Sequence, residues 1–491
     1  MHKQKNKRRL IILAAVLIIA LLAGAAAFLI YLFQYSTVGE PSEVGDNHTG
    51  DAHYTMEITP YYSEGAMLIT QTVNFTNDDT ALDRIVFALP VNAYRRSSTA
   101  PMDSEEFDAS FTDSYSPGGI EFTSIAVNGN KVEWGVSGSS EAVLTLMCDI
   151  APEEAVSVYM EYHVLMPELS GAGGFDDTEW RMTDFYPHLC SLTDGEWTAY
   201  SPGYVGRYEC FPVSDYSVTL HAHSDYDVIV CGNTEYSLDA DGWRTWSIEA
   251  YDLRNLSIVM RQGGYVYEQN VDGVCVRVYG DSRLTSRRMV SIAAKIVRQM
   301  NELYQYPYAT LNIVMGDYTA GDSSDGGVII FDEDQADAES QLAYLIARQW
   351  FGEIVGSDSM VEPWLSEALA QYAALMCAQN ASLKCQSAIE RDIDASLGIT
   401  LPGGMTVESD ASVFTSNTDY VNVLRYRGAA VLQMLDEVMD DAFAQALEIY
   451  VTDNAYEITN RSDFVAALNA SDGTDWSAWL SETLQGIGKL G

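Results

Sequence analysis

Between residues 54 and 262 apolar and polar positions alternate in short runs, among them MLITQTVNFTN, VEWGVSG, AVLTLMCDI, VSVYMEYHV, YSVTLHAH and YDVIVCG, separated by Gly, Asn, Asp and Pro. A period of two sets one strand face against a core and the other toward water, so this stretch predicts an antiparallel β-sandwich-like domain. After GVCVRVYGD the period lengthens: residues 285–304 (TSRRMVSIAAKIVRQMNELY) carry apolar positions at helical spacing. Two strand-like runs follow, LNIVMGD and GGVIIFD, and helices are predicted over 336–355, from Pro363 onward, over 426–438 and over 440–451. The chain therefore reads as α+β and multidomain, with a β-domain over 54–262 and a helix-rich domain over 263–491, split near Gly263. No long helical array is expected after Leu484.

The first fifty residues follow neither period. Residues 1–9 hold five Lys/Arg, and residues 10–33 are 24 positions without a charge. At about 1.5 Å per residue such a helix spans a hydrocarbon core of roughly 30 Å. The small residues AGAAA would suit signal-peptide cleavage, but the apolar run continues beyond them through FLIYLF, so an uncleaved transmembrane anchor is the expectation. Basic residues on its N-terminal side predict a single-pass cell-membrane protein with a cytoplasmic segment at 1–9 and an extracytoplasmic body. Residues 34–53, polar and without apolar period, read as a linker.

Composition adds one constraint. Beyond the anchor, 22 of the 27 Lys/Arg stand against 70 Asp/Glu, a formal net charge of −48. An acidic ectodomain of this kind repels nucleic acid and anionic lipid, and leaves cationic partners or a simple solvated surface. Seven cysteines without a C-x-x-C pair exclude a zinc ribbon or redox motif.

The candidate chemistry lies in Y-L-I-A-R-Q-W-F-G-E-I-V, which begins at Tyr344, and in W-L-S-E-A-L-A-Q-Y, which begins at Trp364. Zinc hydrolases with H-E-x-x-H place two His at i and i+4 on one helix face, with the intervening Glu as general base and a third ligand on a later helix. These segments resemble the gluzincin zinc aminopeptidases, typified by membrane alanyl aminopeptidase. Gln349, Trp350, Phe351 and Gly352, then Trp364, Leu365, Glu367 and Tyr372, match that family's frame. The resemblance implies a thermolysin-like peptidase domain. It also implies that Tyr344 and Arg348 stand at the zinc-binding His positions, Leu345 at the general base and Glu367 at the retained third ligand. By the same resemblance Ser324, in GDSSDGGVII, replaces the Glu that binds the substrate's free amino group. In YVNVLRYRGAAVLQML, Arg425 replaces the tyrosine that stabilises the tetrahedral intermediate, with Tyr426 one position away.

A count of histidines is independent of alignment. They are His2, His48, His53, His163, His188, His221 and His223, none of them in the domain where the site belongs. Arginine offers only donors, and a neutral phenol binds zinc weakly. No metal ligand and no catalytic residue is therefore expected, and no cofactor, zinc being the cofactor of the alternative reading. His221 and His223 on one strand face could form half a metal site but are more simply strand histidines. The acids of DDT and FDED lack calcium-loop spacing and read as turns. GDSSDGG lacks a nucleophile elbow and a local His. Three functions follow: a non-catalytic pseudopeptidase whose cleft binds a peptide or protein, an active metallo-aminopeptidase with non-standard ligands, or a surface spacer.

Overall fold

A computed structural model describes residues 51–486, apart from 112, 113, 194 and 401. The expected anchor at 10–33 and nearly all of the linker lie outside the described residues. Among those described, no helix is long and apolar enough to cross a membrane.

The period-two stretch forms strands. In Ala52–Tyr61, alternate residues Ala52, Tyr54, Met56 and Ile58 are buried, and in Ala66–Thr76 Met67, Ile69, Gln71 and Val73 are. Gln71 tolerates burial because its amide donates to Pro187 O at 3.0 Å and accepts from the Tyr162 hydroxyl at 2.6 Å. The largest sheet has eight strands in the order Asn233–Leu238, Trp243–Leu253, Ser214–His223, Ala52–Tyr61, Ala66–Thr76, Ala155–Leu165, Gly119–Val127 and Asn130–Lys131. Two four-stranded sheets and a two-stranded one, Ser191–Thr193 with Glu196–Thr198, complete the β-rich part.

One pairing corrects the antiparallel expectation. Ala52–Tyr61 runs parallel to Ser214–His223, with Ala52 opposite Ser214 and Ile58 opposite Leu220. Parallel neighbours need a long crossover. The chain supplies one by passing through the two smaller sheets before it returns at Ser214.

The second part opens with a five-stranded sheet in the order Tyr265–Val271, Val274–Gly280, Thr310–Gly316, Val328–Asp332 and Ser323–Asp325. Its three central strands are parallel and both edge strands antiparallel. The helix Arg283–Leu303 starts at Ser282, whose hydroxyl caps Thr285 N, and buries Met289, Val290, Ala293, Ile296, Val297 and Met300 along one face.

The helix expected over 336–355 is shorter, running from Ala338 to Arg348. Gly352 lies against that last residue: a Cβ there would stand 3.0 Å from Arg348 O and 3.2 Å from its Nη2. The chain turns tightly around the Arg348 side chain, and only glycine leaves it room. Pro363 precedes the helix Trp364–Asn380, as expected.

The helix expected over 426–438 begins with a π-helical turn, Val421–Arg427, before Gly428–Met439. A Cβ on Gly428 would meet Ala368 Cβ at 2.5 Å, so this glycine lets the turn press onto the Glu367 helix. Arg425 rides on that turn. Single π-helical turns inside helices frequently mark functional sites.

Candidate functional site

Tyr344 and Arg348 are one turn apart on a helix whose positions from Leu342 to Arg348 are all buried, so both side chains project from one face toward the next helix. There they meet Glu367. The Tyr344 hydroxyl donates to Glu367 Oε2 at 2.5 Å, and Arg348 Nη1 lies 3.5 Å from Oε1. Two further charges come from the β-rich part. Arg207 Nε stands 3.7 Å from Glu367 Oε1, while Glu209 bridges the two arginines, 3.2 Å from Arg207 Nη1 and 3.5 Å from Arg348 Nη2.

This network holds the buried groups in definite protonation states. Burial and the Arg207 charge oppose the cation on Arg348, but Tyr344, Glu367 and Glu209 outweigh them and raise its pKa. Burial, then the Glu367 charge, keeps the Tyr344 phenol above its usual range and therefore a donor. Sequence reasoning missed Arg207 and Glu209. They lie in an irregular loop about 140 residues upstream, and nothing local marks them.

The donor set at the three inherited ligand positions is a phenol, a guanidinium and a carboxylate whose oxygens are already engaged. Arg348 has no lone pair to offer, and Leu345, at the base position, is fully buried and apolar. These residues do not fit zinc. Among the described residues no group of three or more His, Cys, Asp or Glu could hold a metal ion.

Ser324 serves a structural seam. Its hydroxyl donates to Leu345 O at 2.9 Å and accepts from Gln349 Nε2 at 2.9 Å. The same Gln349 donates to Asp325 O at 2.8 Å and accepts from Gly327 N at 2.9 Å and the Tyr306 hydroxyl at 2.6 Å. Edge strand and helix are thus joined by neutral, satisfied groups, and the serine is spent inside the protein.

Arg425 lies flat on Tyr344, its Cζ 3.5 Å from the ring centroid, and donates to Gln371 at 2.5 Å and Gln341 at 3.0 Å. The Tyr426 ring packs 5.3 Å from the Arg425 guanidinium and does not line the cleft. Tyr420, one residue before the π-helical turn, lines the cleft instead. Its hydroxyl is buried and has no hydrogen-bond partner among the described residues.

Of these groups Arg207, Glu209, Tyr344, Glu367, Tyr420 and Arg425 line a cleft of about 440 Å³ between the β-rich and helical parts. That volume falls in the range of small-molecule sites. On its other wall, Asp184 and Asp325 share the Asn255 amide at 3.0 and 3.3 Å. Burial raises the pKa of both, with the Asp325 charge adding to the effect on Asp184.

A small pocket of about 20 Å³ is lined in part by Arg348, Glu353 and Ser357. Their Nε, Oε2 and Oγ atoms lack partners among the described residues. Burial, then the Asp325 and Glu209 charges, pushes the Glu353 carboxyl up to about 8.

His221 and His223 remain away from this cleft. His221 bonds Thr245 and pairs with Glu57 at 3.3 Å, and His223 pairs with Asp225 at 3.3 Å. Asp78 and Asp332 cap turns by accepting from Thr80 N and Asp334 N. All seven cysteines are free.

A family model for the peptidase family M1 domain matches residues 289–483. Aminopeptidase M1 of Arabidopsis thaliana is 23% identical over 241 residues, 44% of this chain and 27% of that protein. Aminopeptidase N of Streptomyces lividans is 23% identical over 249 residues, 45% of this chain and 29% of that one. The match therefore spans about a quarter of these relatives' own length. Among solved structures, an M1 zinc metallopeptidase from Deinococcus radiodurans superposes with a TM-score of 0.64 at 18% identity, covering 90% of this chain and 96% of the other. The helical part, with the frame around Glu367, is thus similar to the peptidase family M1 domain, and the described body shares the fold of an M1 zinc metallopeptidase.

Proposed function

We propose that the protein is a membrane-anchored, extracytoplasmic pseudopeptidase that binds peptides or a protein segment in its cleft without hydrolysing them. The observation that carries this reading is the state of Glu367. Both of its oxygens are engaged by Tyr344, Arg348 and Arg207, so the carboxylate that would complete a metal site already has its counterions. Hydrolysis in this fold class depends on a metal that lowers the pKa of bound water and on a carboxylate base beside it. Leu345 cannot be that base. The anchor is argued from residues 10–33 and from the basic segment before them.

The test combines zinc content by elemental analysis, release of alanine and leucine from aminoacyl substrates with and without chelator, and calorimetric titration with short peptides. The reading expects sub-stoichiometric zinc, no chelator-sensitive hydrolysis and saturable binding. Stoichiometric zinc with chelator-sensitive release would establish the active aminopeptidase instead, and absence of any binding would favour a spacer.

A further inference from the structure

Arg207 and Arg348 share Glu209 and Glu367 at ion-pair distance, and the carboxyls of Asp184, Asp325 and Glu353 also lie in their field. Arg425 makes no ion pair among the described residues. Its contacts are the Gln371 and Gln341 side-chain oxygens and the rings of Tyr344 and Tyr426, all neutral. Asp322 is reached only across the Gln341 amide, which donates to it at 2.7 Å.

A guanidinium that is 7% exposed and lacks a counterion has lost much of its hydration without compensation. It is also held rigidly. Nε and Nη1 are committed, while Nη2 has no hydrogen-bond partner among the described residues, and the group lines the cleft. Tyr420, on the same wall and 3% exposed, is an independent sign, since its hydroxyl is an unused donor. Arg207, also on this wall, adds positive field.

We infer that the inner end of the cleft is a carboxylate site, in which Arg425 and Tyr420 bind the carboxylate of a peptide-sized ligand and Arg207 supports them electrostatically. The polarity of the site is thereby reversed. Where the family frame would place a cationic metal and an acidic anchor for the substrate's amine, this chain offers Arg425 and Arg207 to an anion. Because the donors are fixed before the ligand arrives, little ordering opposes binding. Charge-assisted bonds to a carboxylate are the stronger kind. The assignment rests on the cleft being a peptide-binding site.

The test is calorimetric titration of the protein with four forms of one tripeptide, Ala-Leu-Phe: unmodified, C-terminally amidated, N-acetylated, and amidated with Asp in place of Ala. The unmodified and acetylated forms should bind about tenfold or more tightly than the amide, about 1.4 kcal/mol. Recovery of affinity by the Asp-bearing amide would assign the site to side-chain carboxylates as well, and its failure to recover would restrict the site to C-termini. Arg425→Gln should erase the difference between acid and amide, and Tyr420→Phe should reduce it. Equal binding of acid and amide forms, or loss of binding on acetylation alone, overturns the carboxylate site while leaving peptide binding intact. Absence of binding by all four forms overturns both.

Discussion

The Tyr344 helix is tied to its surroundings in two places that differ in kind. On one side Gln349 and Ser324 join it to the edge strand through neutral groups, each with its partners supplied. On the other, Tyr344 and Arg348 join it to Glu367 through a buried ionic cluster that also takes in Arg207 and Glu209. Of the neutral seam, Gln349 belongs to the family frame and Ser324 departs from it. The ionic cluster occupies the place of the chemistry. A satisfied amide stabilises without demanding a counterion, whereas a buried ion pair contributes little beyond apolar packing yet leaves a stranded charge once broken. The positions that the resemblance assigns to metal ligands thus form a structural joint that depends on all its members.

The sharpest break in this contrast is Glu367→Ala, which strands Arg348 and Arg207 beside Glu209 alone. It should cost about 3 to 5 kcal/mol in chemical denaturation, while chelator leaves the unmodified protein unchanged. Stability that rises with added zinc would reverse the assignment. The neutral seam should yield a smaller loss. Gln349→Ala leaves Ser324, Gly327 N and the Tyr306 hydroxyl short of partners and should cost about 2 to 3 kcal/mol, with no dependence on ionic strength.

A third effect is read through pH. Glu353 is held protonated up to about 8, well above its ordinary 4.5, so between these values the folded state keeps a proton that the unfolded state has lost. Its contribution to stability should fall as pH rises through that window, at up to about 1.4 kcal/mol per unit, and Glu353→Gln should flatten the slope. An identical pH profile for the variant would show that Glu353 is not buried as described.

Much of this was legible in the sequence because it is local. The spacing of Tyr344 and Arg348 sets both on one helical face whatever else the chain does. Alternation in AMLITQTVNFT was enough to predict a strand, and the apolar positions of 285–304 to predict a helix. The count of histidines showed that no His-based zinc site could form in the helical domain. Helix length was less legible: the apolar run continues to Val355, but packing of Gly352 against Arg348 ends the helix seven residues earlier.

Partner choice was decided only by the tertiary structure. Arg207 and Glu209 carry no signal in their own segment, and they enter the site because the loop before Ser214 folds back onto the helical part. The parallel pairing of Ala52–Tyr61 with Ser214–His223 is likewise a property of the return path, not of either strand. That Tyr420 and not Tyr426 lines the cleft, beside a π-helical stretch no sequence period announced, is also visible only in the fold. Periodicity determines which face of an element is apolar. Which charges share a buried site depends on close packing between residues far apart in the chain, where desolvation forces each to find a counterion, and the one that finds none, Arg425, is visible only when the others are in place.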